Sequence, residues 1–426
     1  MATTHDLKGA RYTLGLLLVI YVVNHIDRQV MYILAELVKN DLELSDTQLG
    51  FLIGGGFAIF YTFAGLPIAR LADRSNRSNI IALALLIWSA MTVASGLSRN
   101  FLQLLAARIG VGVGEAGCTP PAHSIISDSF PPERRAGALS IYALGVPFGT
   151  LFGLAAGGYL AEGLGWKTAF FVVGAPGILL ALVAKLTLRE PERGGFDPGA
   201  DMEQDSVGTT FAFIAALPSM RHALVGTSLQ TLFLAGVGGF HASFLQRVHG
   251  LSVSEAGLQL GLIAGIAGGI SVYGAGQLAD RLSARDVRWH FWIPGLGALA
   301  SLPFSWVAYS TSDATLCVAM IAAATLLNHM YSGLGHAIMQ GLVKPRMRAV
   351  MSALALFMMN IIGFGLGPIL VGLFSDYFGS QKATEDTGLM GIQSATLALL
   401  FFMAWAVLHY VLGARTYARD LEAKRG

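Results

Sequence analysis

The chain has 426 residues, 54% of them hydrophobic and 13% charged, with a mean hydropathy of +0.60. Soluble domains carry about 25% charged residues, so a disordered chain and an ordinary cytosolic enzyme are excluded. A formal net charge of +2 without a basic block excludes a nucleic-acid binder. Two cysteines, Cys118 and Cys317, make neither a disulfide scaffold nor a zinc cluster. What remains is an all-α integral membrane protein.

A helix needs about 20 apolar residues to cross the hydrocarbon core. Apolar runs between charged or turn-rich breaks predict twelve spans, over 11–38, 48–71, 79–98, 101–129, 136–162, 167–189, 220–246, 255–281, 289–310, 313–343, 348–376 and 388–413. The strict alternation of barrel strands is missing. The first run follows Lys8 and Arg11 but is not read as a signal peptide, because no small-residue cleavage site follows and more spans do. With the N-terminus inside, the outer loops hold Lys39, Arg99, Lys167, Arg247 and Lys382. Arg28 and Arg108 fall within spans, and every other lysine and arginine is cytoplasmic. Both termini are therefore expected in the cytoplasm.

The chain repeats itself. Ala69-Arg70-Leu71-Ala72-Asp73-Arg74-Ser75-Asn76-Arg77, after span two, is echoed by Gly276-Gln277-Leu278-Ala279-Asp280-Arg281 after span eight. Pro132-Glu133-Arg134-Arg135-Ala136 is echoed by Pro345-Arg346-Met347-Arg348-Ala349, and Glu162 by Asp376 at nearly the same separation. Two six-helix bundles related by a pseudo-two-fold repeat describe a secondary transporter. The expected boundaries are an N-terminal bundle over 1–189, a cytoplasmic linker over 190–219 with Asp197, Asp201, Glu203 and Asp205, and a C-terminal bundle over 220–426.

This plan resembles the major facilitator superfamily over nearly the whole chain. More narrowly, Asn24-His25-Ile26-Asp27-Arg28 is similar to the Asn-Tyr-Met-Asp-Arg of spinster-type transporters. So are Gly112-Val113-Gly114-Glu115-Ala116, Pro121, Ile125-Ile126-Ser127-Asp128, Phe130-Pro131 and the Asp73–Arg77 loop. Ala69 departs from the superfamily loop, where glycine is usual; alanine is still small.

Asp27 lies about 24 Å of helix beyond Arg11 and about 18 Å before Lys39, near mid-bilayer. Glu115 sits at a similar depth. A charge at a helix centre costs about 2.5–3.5 kcal/mol on insertion scales, so Asp27, Arg28, Arg108 and Glu115 must face a cavity or one another. Arg108, Gly112, Glu115 and Thr119 follow an i, i+4, i+7, i+11 pattern on one face of span four. Burial favours a neutral carboxyl and a neighbouring arginine favours a charged one. Asp27 and Glu115 are thus candidate proton carriers. Arg28 and Arg108 are permanent cations suited to a phosphate or carboxylate head group, with Thr119 beside them. The competing account is a structural ion pair, Asp27–Arg108 or Arg28–Glu115, that locks helices together. The resemblance implies the functional role, since spinster-type proteins are thought to use these positions in proton-coupled transport.

At the membrane edge, Arg74 and Arg77 are explained by topology alone, but a matching Asp-Arg pair in both halves is not. The resemblance implies a gate: Asp73 capping the start of span eleven, Asp128 taking Arg74 or Arg77, and Asp280 with Arg281 as a weaker mirror. Glycines in span five (Gly145, Gly149, Gly153, Gly157, Gly158) and span eleven (Gly363, Gly365, Gly367) read as tight packing rather than a hinge. Asn328, Ser332, Gly335 and Met339 of span ten would share a polar stripe, lining a pathway or bonding helices together. Gln230 and Phe233 of span seven are further candidates for lining.

Gly110-Val111-Gly112-Val113-Gly114 is not a dinucleotide loop and Gly165-Trp166-Lys167-Thr168 is not a phosphate loop. His329 and His336 lack a third ligand. No metal, cofactor or catalytic triad is expected, and transport must draw on a gradient. The expectation is a monomeric, proton-coupled transporter of the cell's inner (plasma) membrane, working by rocker-switch alternating access. The resemblance implies a small amphiphilic, anionic lipid, a lysophospholipid or sphingoid phosphate, as substrate. The alternatives are a small organic anion or drug on the same fold, or a membrane receptor or enzyme without transport.

Overall fold

The computed structural model describes residues 4–193, 206–381 and 387–423; the side chains of a few of these, Asp73 among them, lie outside the description, as do the linker acids Asp197, Asp201, Glu203 and Asp205. Every regular element among the described residues is a helix. Eleven runs are long and apolar enough to cross a membrane. One of them, Pro132–Thr187, covers predicted spans five and six. The short loop expected there is a break at Gly165, whose φ of 79° and ψ of 160° interrupt an otherwise helical run. Within the predicted linker, Val207–Ala216 is a helix, and Ser206 caps it by accepting from Thr209 N.

Span four departs from the predicted single helix. Phe101–Glu115 ends in a turn, and Thr119–Ser129 starts a second helix. Pro120 and Pro121 explain the break, since neither can donate to the carbonyls of the preceding turn. The face shared by Arg108, Gly112 and Glu115 therefore stops short of Thr119. Span ten breaks likewise, between Ala314–Asn328 and Tyr331–Leu342, which divides the expected polar stripe.

The chain forms two compact units. The first holds Met1–Leu44, Phe51–Ala200 and Leu251–Gly261; the second holds Ser45–Gly50, Asp201–Gly250 and Leu262–Gly426. Leu17, Ile20, Leu85, Trp88, Val111 and Ile125 are central in the first core. Phe291, Met339, Met351 and Tyr410 are central in the second. In lipid the association of helices rests on close packing rather than on escape from water. Span four shows how: a Cβ on Gly112 would lie 2.8 Å from Phe57 O, and one on Gly114 would lie 2.7 Å from Trp88 N. These glycines bring span four against spans two and three at the level of its buried charges.

Gly165 has open space around its Cβ position, so its constraint is purely in the backbone. Gly165→Ala is expected to cost about 1–2 kcal/mol, the penalty for a left-handed residue with a Cβ. Gly163→Ala, at an equally open helical position, should cost nothing. Thermal denaturation of both variants in detergent checks this.

Candidate functional site

The four mid-membrane charges meet inside the first unit. Span one brings Asp27 and Arg28, and the first half of span four brings Arg108 and Glu115. Arg28 Nε donates to Glu115 Oε2 at 2.6 Å. The Arg28 guanidinium carbon lies 4.8 Å from the ring centre of Phe57 and 5.0 Å from that of Tyr61. Arg108 lies 5.7 Å from the same Phe57 ring. Phe57 and Tyr61 are four residues apart on span two, one helical turn, and stack on each other. Together they give the planar cation a matching apolar surface.

Of the two ion pairs considered from sequence, Arg28–Glu115 forms. It does not saturate the cluster. Among the described residues, Glu115 Oε1, both Asp27 carboxylate oxygens, Arg108 Nε and Nη1, and both polar atoms of the Asn24 side chain are buried without a hydrogen bond of ordinary geometry. Trp88 and Thr92 of span three lie beside the Asp27 carboxyl. A pair that served only to lock helices would be fully satisfied, because each unmet buried group costs about 1–3 kcal/mol. Arg28 is also the one partly open member: its side chain is 27% exposed, while that of Glu115 is fully buried.

At the far end of span four lies a second polar node. Arg77 is nearly buried and spends its whole fork. Nε donates to Glu190 at 2.6 Å, Nη1 to Ser124 at 2.7 Å and to Asp128, and Nη2 to Pro191 O at 3.1 Å. Glu190 also accepts from Ser78 N at the start of span three. Arg193 then caps the end of span two through Ala72 O and Ser75 O. Of the two arginines offered to Asp128, Arg77 takes it. Arg74 is exposed, and the side chain of Asp73 is outside the description. Asp280 and Arg281, expected as a weaker mirror of this gate, are both exposed and make no ion pair among the described residues. The repeat explains this, because Ala284 stands where Arg77 stands in the first half.

Other candidates move. Thr119 lies past the break in span four, at the start of its second helix. Gln230 and Phe233, expected to line a pathway, are both buried. Gln230 Nε2 donates to Asn328 O at 2.9 Å and its Oε1 accepts from Tyr410 at 2.7 Å. It thus satisfies a carbonyl at the break in span ten. Asn328 is buried with Oδ1 unpaired. Phe57, Tyr61, Glu190 and Arg193 were not singled out from sequence. The aromatic pair one turn apart and the charged run Arg189-Glu190-Pro191-Glu192-Arg193 were the available signals.

A fold of this kind, with ionisable groups gathered at mid-membrane, defines a multi-pass membrane transporter. Residues 17–368 match the family model of the Major Facilitator Superfamily, and the chain belongs to that family. Within it the chain is spinster-like. A solved bacterial homologue of the human lysosomal transporter Spinster, in an inward-facing and unoccupied conformation, superposes with a TM-score of 0.89 at 34% identity, covering 97% of this chain and 98% of that one. An MFS-type efflux pump from Mycolicibacterium smegmatis is 34% identical over 99% of this chain and 96% of its own length. Protein spinster homolog 1 of Xenopus tropicalis is 25% identical over 93% and 79%.

Arg77→Lys keeps a charge but not a fork that can serve four acceptors. It should lower stability by about 3 kcal/mol, the scale of a broken buried pair, whereas Arg74→Lys should be neutral. Thermal denaturation of the two variants side by side checks this.

Proposed function

We propose that this protein is a proton-coupled secondary transporter working by alternating access, with both termini cytoplasmic in a plasma membrane and an amphiphilic anionic lipid as cargo. The observation that carries the reading is the Arg28–Glu115 pair, with Asp27 unpaired beside it. When Glu115 takes a proton, Arg28 loses its partner and turns to an anionic head group. When the anion leaves, the carboxylate reclaims the arginine. Asp27 is the second proton acceptor, and Arg108 holds the local charge positive when both acids are neutral. The Phe57–Tyr61 surface under Arg28 fits the first methylenes of a lipid tail. The spinster-type resemblance read from the sequence implies a lipid-like cargo. The Arg77–Asp128–Glu190 node is assigned to the cytoplasmic gate, with Asp73 alongside.

The efflux-pump relative favours a second reading, in which the same arginine takes a small organic anion or a drug. Binding of a lysophospholipid, a hexose carboxylate and an anionic drug, compared by thermal shift, separates the two. A shift with the lipid alone supports the first.

Linkage sets the sign of the pH dependence. If a proton on Glu115 is required for the anion to bind, affinity rises as pH falls, by about a decade per unit over the range in which that proton is taken up. Glu115→Gln mimics the neutral acid. It should bind the anion at all pH values with a flat profile and lose flux driven by a pH gradient in proteoliposomes. A variant that keeps the wild-type pH slope removes the role given to Glu115.

A further inference from the structure

Glu115 has no exposed surface, so a proton bound for it has to cross protein. The break in span four supplies polar groups for that crossing. Pro120 and Pro121 cannot donate to Ala116 O and Gly117 O, which leaves those carbonyls without their usual helical donors. Cys118 N donates to Glu115 O at 3.1 Å, so the turn follows directly on the acid. Cys118 and Thr119 both lie beside the Tyr142 hydroxyl of span five. That hydroxyl is buried without a hydrogen bond of ordinary geometry.

Aromatic contacts hold Tyr142 in place. Its ring stacks on Tyr21 of span one, with centres 4.3 Å and planes 10° apart. His25 meets Tyr21 edge-on at 4.5 Å. The ring of His123, in the second half of span four, meets Tyr142 edge-on with centres 5.4 Å apart. Thr119 and His123 are four residues apart, so they stand one above the other on a helix face. His123 is exposed, and among the described residues it has no ion pair and no hydrogen bond. The next residue, Ser124, accepts from Arg77, which places His123 beside the Arg77–Asp128 node. The titratable groups along this line are Glu115, Cys118 and Tyr142, with Tyr21 and His25 behind Tyr142. The nearby charges of Arg77 and Asp128 are taken up by each other.

We infer that Tyr142, Thr119 and His123 form a proton relay between Glu115 and the surface at the Asp128 end of span four, with His123 as the group that exchanges protons with water. A hydroxyl accepts a proton on a lone pair while giving up its own, so Tyr142 and Thr119 pass a proton on without holding a charge. The imidazole takes a proton at one ring nitrogen and releases another from the second, and histidine does so near neutral pH. The protons balance: one enters at His123, one reaches Glu115, and each relay group ends as it began. A histidine kept only for structure would be tied to a neighbour, as His25 is to Tyr21 O at 3.1 Å. His123 is not tied, and its partner Tyr142 carries the unmet hydroxyl at the break.

The inference rests on proton uptake by Asp27 and Glu115 as proposed above, and its test reads rate rather than equilibrium, so the two fail separately. Protein in nanodiscs is taken from alkaline to acid pH by stopped flow with an indicator dye. The phase of interest is the proton uptake that Asp27→Asn combined with Glu115→Gln removes. His123→Ala should slow that phase about a hundredfold, the lower end of what a positioned acid–base group supplies, and leave its amplitude unchanged. Imidazole added to the buffer should restore the rate, which it would not do for a side chain that only packs. Tyr142→Phe keeps the stack and removes the hydroxyl; it should slow the phase too, without rescue by imidazole. An unchanged rate in His123→Ala, or a slowed rate that imidazole does not restore, would overturn the inference. If His123→Ala does not fold, His123→Gln decides by the same readouts. A wild-type protein that lacks the phase contradicts the proton-coupled reading itself, and the relay falls with it.

Discussion

A charge inside a bilayer has to be met, and the first unit is organised around four that are only partly met. Arg28 and Glu115 pair, while Asp27 and most of Arg108 are left without ordinary hydrogen bonds. Buried polar groups in that condition store free energy that a proton or an anion can recover. The neighbouring features fit that constraint. Gly112 and Gly114 bring span four close, Phe57 and Tyr61 back the arginine, and the prolines after Cys118 end the helix just past Glu115.

The repeat is complete as architecture and incomplete as chemistry. Capping boxes, acids that accept from helix first turns and π-helical stretches occur in both halves. Among the described residues, charged groups at mid-membrane occur in one. In the second unit, spans seven and ten meet through neutral groups instead: Gln230 with Asn328 O and Tyr410, and Thr231 with Tyr331 at 3.0 Å. That network is largely satisfied, and so it holds the broken span ten in place rather than waiting for a ligand. The partly met charges thus lie in one half and a largely satisfied neutral network in the other.

Much of this was legible in the sequence because lipid imposes simple rules. Span length and the cost of mid-membrane charge give the helices and the Asp27–Arg28–Arg108–Glu115 set directly. Spacing alone did not choose between Arg28–Glu115 and Asp27–Arg108, because both pairs span the same helices. Helix periodicity extended one face from Arg108 to Thr119 without a break, since it takes no account of two adjacent prolines. Gln230 looked like a pathway residue because a polar side chain in a membrane helix serves a cavity or a backbone carbonyl equally well, and the carbonyl was freed by a break in another span. The acids at the helix tips were half visible: Glu162 and Asp376 stood out as a repeated pair, but they accept from backbone N–H groups, which no residue type announces.

The central claim is that the carboxyl groups of Asp27 and Glu115 gain and lose protons from within the membrane. Infrared difference spectra of the reconstituted protein, stepped between acid and alkaline pH, test it most directly. The account predicts a protonated-carboxyl band that appears at low pH, weakens in Asp27→Asn and in Glu115→Gln, and disappears when both are replaced. A band that survives the double replacement, or the lack of any titrating carboxyl in the wild-type protein, would contradict it.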